Sequence, residues 1–234
     1  MGELSASERD AGDDEASAPL AITPTGEVDR WALLIGVSSY AHETLSLQFA
    51  ARDAQKLRET LLEPTSGAFP DDHVHLLVDE DATLAGLNKA LRTFLKRPAP
   101  EDLVVVFVAC HGSRDRDRPD NLYLLPYDTD PADISGTALP MREVELALRE
   151  TLLSTRVVVL VDACHSGGLG GQFADVRAVH DDAADLNTYL SLLSSRREGG
   201  VSLMTSAMAS ESSLEGEQWG AGHGVFTHFL LEGL

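Results

Sequence analysis

Two stretches, Leu103–Ala109 and Val157–Val161, are apolar at every position and rich in β-branched residues. A strand without polar alternation has no face for water, so it belongs in a sheet covered on both sides, and such sheets are built mainly from parallel strands joined by helical crossovers. The rest of the chain supplies the elements this requires. Trp31–Val37 and His73–Val78 are further strand-like runs, and Val201–Ser206 is another. Between them, apolar residues recur at helical spacing: Phe49, Ala50, Ala54, Leu57 and Leu61; then Leu84, Leu87, Leu91, Phe94 and Leu95; then Met141, Val144, Leu148 and Leu152. Asp81 or Thr83 would cap the second helix, which should end before Pro98. The order βαβαβαβ predicts an α/β domain with a mainly parallel central sheet and helices on both faces. In such sheets ligands bind beyond the carboxyl ends of the strands.

The chain has 234 residues, 43% of them apolar, enough for one substantial core. Acidic residues outnumber basic ones 38 to 18, a formal charge of −20. That field repels phosphate backbones and anionic surfaces, so neither nucleic acid nor membrane is expected as a partner. The longest apolar runs fall well short of the roughly 20 residues a membrane helix needs, and the N-terminus lacks a basic-then-apolar signal pattern. The expected location is cytoplasmic. Residues 1–27 hold Glu3, Glu8, Asp10, Asp13, Asp14, Glu15 and Glu27 against one base, Arg9, with no apolar period. Such a composition does not offset ordering entropy, so it reads as a disordered acidic tail before a single domain at 28–234. A removable pro-segment is the alternative. Val225–Leu234 begins a helical period at which the sequence stops, which leaves open a continuation beyond Leu234.

Cysteine occurs twice, at Cys110 and Cys164, each followed directly by histidine and each just past a strand-like run. This is not the framework of a disulfide-stapled domain. If the two strands are neighbours, the residues beyond them face one cleft. Cysteine attacks as thiolate, and an imidazole within reach can take its proton and later give it to a leaving amine. His111 and Cys164 meet that need. The oxyanion formed on a peptide carbonyl needs backbone N–H donors in a tight turn, for which Gly112 and the Cys164 amide are candidates. Cys110 should point away from its neighbour His111, as alternating strand geometry requires, and serve as a small core filler.

Trp31-Ala-Leu-Leu-Ile-Gly-Val, Ala51-Arg-Asp-Ala, Cys110-His-Gly, Asp162-Ala-Cys-His-Ser-Gly and His223-Gly-Val-Phe-Thr span nearly the whole chain after the tail. Together they resemble the caspase, metacaspase and paracaspase group of cysteine peptidases (clan CD). The form around Cys164 is closer to metacaspases and bacterial caspase-like proteins than to animal caspases, whose signature has Gln-Ala before the cysteine. The interval from His111 to Cys164 agrees with the roughly 50 residues between those groups in caspases. The resemblance implies a three-layer caspase-like fold, His111 and Cys164 as the dyad, and Gly112 as an oxyanion donor. It also implies a pocket for a basic P1 side chain lined by Asp162 and Asp53, although Arg52 stands where metacaspases carry Asn. Two carboxylates match the forked donors of a guanidinium and repel each other without one, which favours cleavage after Arg, then Lys. The expected partners are protein substrates and an activating protein or protease, and the implied setting is an activatable effector of bacterial cell death or defence.

Other readings compete at each position. Asp162 could hold a metal or cap a turn, and Asp53 could be a solvated helix residue. Cys110, His111, Cys164 and His165 have zinc chemistry, but adjacent residues at a strand end diverge whereas zinc sites use separations of two to four. No metal ligand set is therefore assigned and no cofactor is expected. Calcium is the exception held open, for Asp115, Asp117, Asp120, Asp128, Asp130 and Asp133, although Arg114, Arg116 and Arg118 interleave them and suggest a solvated loop. Gly167-Gly-Leu-Gly-Gly does not complete a nucleotide-binding pattern, since Phe173 stands where glycine is needed. The polar connection Gln172–Gly199, with Arg177, Arg196 and Arg197, lies where caspase-like proteins have their processed linker. Two alternatives to a peptidase are a catalytically silent caspase-like scaffold and a redox or zinc sensor built on the two Cys-His pairs.

Overall fold

The computed structural model describes residues 28–114, 118, 121–162, 200–206, 215–220 and 222–234. The elements run β1 (Arg30–Gly36), α1 (Ala50–Leu62), β2 (Val74–Val78), α2 (Leu84–Thr93) and β3 (Leu103–Ala109). An antiparallel excursion follows, with β4 (Gly112–Arg114), β5 (Leu122–Leu124), the short α3 (Ile134–Thr137) and β6 (Leu139–Pro140). After α4 (Met141–Leu146) come β7 (Arg156–Val161), β8 (Gly200–Thr205), the two-residue strands β9 (Glu215–Gly216) and β10 (His223–Gly224), and α5 (Val225–Gly233).

The central sheet has the order β2-β1-β3-β7-β8, and every neighbouring pair is parallel. The chain moves outward from β1 to β2 and then back past β1 to β3. With crossovers of one hand, that reversal sends α1 to one face and α2 and α4 to the other. Strand alternation divides the core accordingly. Trp31, Leu33, Ile35, Val104, Val106, Val108, Val157, Val159 and Val161 pack with Leu87, Leu91, Met141, Val144 and Leu148. Ala32, Leu34, Val105, Phe107, Ala109 and Leu160 pack with Ala50, Ala54, Leu57 and Leu61 of α1, and Phe226 and Leu230 of α5 join them. The α/β, three-layer expectation holds. Thr83 is the cap of α2, its Oγ1 accepting from the Gly86 N–H at 3.1 Å.

Two local features differ from the sequence reading. The period from Met141 to Leu152 does not continue as one α-helix: α4 gives way at Ala147–Thr151 to a π turn. The stretch after His111 is not simply a solvated loop. Gly112–Arg114, Leu122–Leu124 and Leu139–Pro140 pair as a three-stranded antiparallel sheet. Their two or three residues are too few to show a period. No helix among the described residues is long and apolar enough to cross a membrane. The expected tail at 1–27 and the connection 172–199 lie outside the described residues.

The reversal of strand order falls between β1 and β3, and the loop leaving β1 is fastened there. Val37 N–H donates to Ala109 O, Ala41 N–H to Tyr127 O and Leu47 N–H to Ser38 O. The Asp79 carboxylate accepts from the N–H groups of Ser38 and Ser39, both at 2.8 Å. This loop brings Tyr40 and Leu45 to the residue that follows β3.

Candidate active site

His111 lies two residues past the end of β3 and is only 4% exposed. Its backbone N–H donates to the Tyr40 hydroxyl at 3.1 Å, and the two rings sit 5.5 Å apart. Its Nε2 is 2.8 Å from the Leu45 carbonyl oxygen. A carbonyl only accepts, so Nε2 carries the hydrogen, and in the neutral ring the lone pair is then on Nδ1, the arrangement a general base requires. Sequence reasoning found the histidine but neither partner, because both sit in the β1–α1 loop, far away in sequence.

β3 and β7 are neighbours in register, from Leu103↔Arg156 to Val108↔Val161, and the Asp162 N–H extends the ladder to Val108 O at 2.9 Å. The chain therefore leaves β7 beside the place where it leaves β3. Cys164 follows Asp162 by two residues; together with His165 it lies outside the described residues. Gly112 opens β4 opposite Leu124. The Leu125 N–H donates to His111 O, which makes Gly112 and Leu124 a non-hydrogen-bonded pair. The Gly112 N–H consequently turns away from β5, as an oxyanion donor must.

Asp53 and Asp162 come together. Residues of even number at the end of β7 face α1, as Leu160 does, and Asp53 stands in the first turn of α1. The two carboxylates are 2% and 1% exposed, so Asp53 is not a solvated helix residue. A Cβ on Gly224 would stand 2.5 Å from Asp162 Oδ2 and 3.1 Å from Asp53 Oδ2, so both acids crowd one point. Asp53 accepts from His223 Nδ1–H at 2.5 Å and from Gly224 N–H at 2.9 Å, and Asp162 accepts from the Thr227 hydroxyl at 2.9 Å. Burial raises the Asp53 carboxyl to about 6, and the charge of Asp162 adds to that rise; the hydrogen bonds from Gly224 and His223 oppose it.

A third acid joins from β9. Glu215 is held above its ordinary value first by burial and also by Asp162, while hydrogen bonds from the backbones of Gln48 and Phe49 pull it down. Glu215 was not singled out from the sequence, and His223, Gly224 and Thr227 only belonged to a motif, without assigned roles. Their partners lie far away along the chain, where no local spacing shows them.

Cys110 is 2% exposed, packs in the core on the α2 side, and has its thiol pushed up to about 12 by burial. A buried thiol of that kind is inert, which removes it from the redox and zinc readings. Among the described acids held open for calcium, Asp128 accepts from Leu84 N–H, Asp130 from Ala132 N–H, and Asp133 caps α3 through Gly136 N–H. Asp115, Asp117 and Asp120 lie outside the described residues. No group of three or more His, Cys, Asp or Glu residues suited to a metal ion occurs among the described residues.

The Caspase domain family model matches residues 29–234. No curated protein matches the chain. Among solved structures, protein GSU0716 from Geobacter sulfurreducens superposes with a TM-score of 0.56 at 18% identity, covering 87% of this chain and 81% of that one. Pro-Sf-caspase-1 gives a TM-score of 0.42 at 14% identity, over 62% of this chain and 55% of that one. At these identities the structural likeness speaks to the fold alone. The match over 29–234 speaks to the family: this chain belongs to the caspase-domain family, whose members are generally cysteine peptidases.

Proposed function

We propose that the chain is a cysteine endopeptidase that cleaves proteins after basic residues, Arg before Lys. The observation that carries this is His111, buried at the end of β3 with Nε2–H tied to Leu45 O, beside the strand that leads to Cys164. Nδ1 of His111 takes the thiol proton and the thiolate attacks the scissile carbonyl carbon. The Gly112 and Cys164 N–H groups hold the oxyanion. The imidazolium then protonates the leaving amine, and water, activated by the same nitrogen, hydrolyses the acyl-enzyme. Asp53 and Asp162 face the P1 guanidinium. Their burial, convergence on Gly224 and company of Glu215 support a cationic side chain there and disfavour an acidic one. The wider setting we propose is a cytoplasmic, metacaspase-type effector in bacterial cell death or defence, activated by processing.

The test is a matched set of peptides differing only at P1. Arg peptides should be cleaved fastest, then Lys, with Asp far behind. Cys164→Ala and His111→Ala should each lower turnover about 10⁴-fold or more, since nucleophile and base act as a unit. An Asp preference would remove the pocket assignment. Turnover surviving in Cys164→Ala would remove the dyad, and a wild type that cleaves none of the peptides would leave the silent-scaffold reading.

A further inference from the structure

We propose that His223 is a positioning residue for the P1 pocket: by donating from Nδ1 to Asp53, it holds that carboxylate beside Asp162 and so sets the pocket's affinity for a guanidinium. The proposal rests on the reading of Asp53 and Asp162 as that pocket. Two carboxylates of like charge converge on one buried point at Gly224. Such a pair stays together when hydrogen bonds to the charged forms offset the repulsion and the loss of water. Those donors come from one short segment of chain. His223 Nδ1–H and Gly224 N–H serve Asp53, and Thr227, one turn into α5, serves Asp162.

The segment is itself anchored to the helix that carries Asp53. His223 pairs with Gly216 across β9–β10, and the next residue of β9, Gly216's neighbour Glu215, hydrogen-bonds to the backbones of Gln48 and Phe49 at the start of α1. His223 is buried, so its imidazole is held in place and does not sample solvent. Among the described residues, the charged and titratable groups that act on Asp53 are Asp162 from the end of β7 and His223 from β10, while Arg52, its neighbour on α1, has its Nη1 beside Gly222. Asp162 in turn acts on Glu215 of β9. In that company the His223 hydrogen bond is one of the influences that lower the Asp53 carboxyl against burial. Removing it moves the carboxyl toward its neutral form and so lowers the negative charge that would face the guanidinium.

The experiment measures benzamidine binding by calorimetry between pH 5 and 8, on the full chain carrying Cys164→Ala so that no turnover intervenes. Asp162→Asn should abolish binding. His223→Leu should weaken it about tenfold at neutral pH and move the pH at which half the affinity is lost upward. His223→Asn, which keeps an N–H donor at similar reach, should restore binding to within about threefold of the parent. Thermal melting establishes that each variant is folded. Absence of binding by the parent, or parent-like binding by Asp162→Asn, overturns the pocket reading and this proposal with it. Loss in Asp162→Asn with folded His223→Leu binding like the parent overturns the role of His223 alone. If His223→Leu does not fold, His223→Asn decides: retained binding supports the role, and a folded variant that does not bind overturns it.

Discussion

A buried carboxyl that keeps its proton to about pH 6 ties the stability of the molecule to acidity in a direction opposite to most surface acids. In the unfolded chain Asp53 ionises near 3.8, and in the folded protein near 6. Between these values the folded state binds more protons, so the contribution of Asp53 to stability is full below about 4 and is lost as pH rises through about 6. Comparison with Asp53→Asn isolates this contribution from that of the other acids. The melting temperature of the wild type minus that of the variant should grow as pH falls from 7 to 4.5, and a constant difference would contradict the assignment. At the same scale, Tyr40 supplies the acceptor for the His111 backbone N–H. Tyr40→Phe leaves that buried donor without it, at about 1–3 kcal/mol. If the hydroxyl also keeps His111 in place for proton transfer, peptide assays should show a lower kcat with KM changed far less.

Among the elements, α1 carries the heaviest structural demand, because its first turn holds Asp53 while its flank lies against the end of β1. A Cβ on Gly36 would sit 2.4 Å from Ala50 O and 2.8 Å from Ala54 Cβ, so Gly36→Ala forces the helix outward. The expected loss is about 1–3 kcal/mol in denaturant unfolding, together with a raised KM for Arg peptides as Asp53 is displaced. These elements also show what a sequence discloses. β3 and β7 were legible because burial on both faces leaves an unbroken apolar run, and His111 was legible because such a run ends two residues before it. β4, β5 and β6 were not, since two or three residues carry no period and their order comes from pairing with one another. Nor was the His223–Asp53 contact: it joins residues 170 positions apart, and only the packing of β10 on α1 brings them together. Asp53 and Asp162 came from family resemblance alone, and the physical reason for them, convergence at Gly224, needs the fold.

At the scale of the whole molecule, the question is what happens when the connection between β7 and β8 is cut. That connection contains Arg177, Arg196 and Arg197, and if the proposed preference for Arg is right, these are its candidate cleavage points. The strands on either side are joined by main-chain hydrogen bonds in parallel register from Arg156↔Gly200 to Val161↔Thr205. Upstream of the cut, β7 is also bonded to β3; downstream, the segment contributes α5, which packs on α1, and His223, which holds Asp53. Each fragment therefore buries apolar surface and backbone donors against the other, and their separation would expose both. The prediction is that cutting changes the covalent chain but not the particle. Incubated wild type should show two fragments by denaturing mass analysis, with the new end after Arg177, Arg196 or Arg197, and should elute from native size exclusion as a single species of undivided mass. Cys164→Ala should remain uncut, and the triple substitution of the three arginines should remain uncut while keeping an intact dyad. Fragments that part under native conditions would show that the sheet does not hold them, and a fully active, uncut wild type would show that this connection is not the switch.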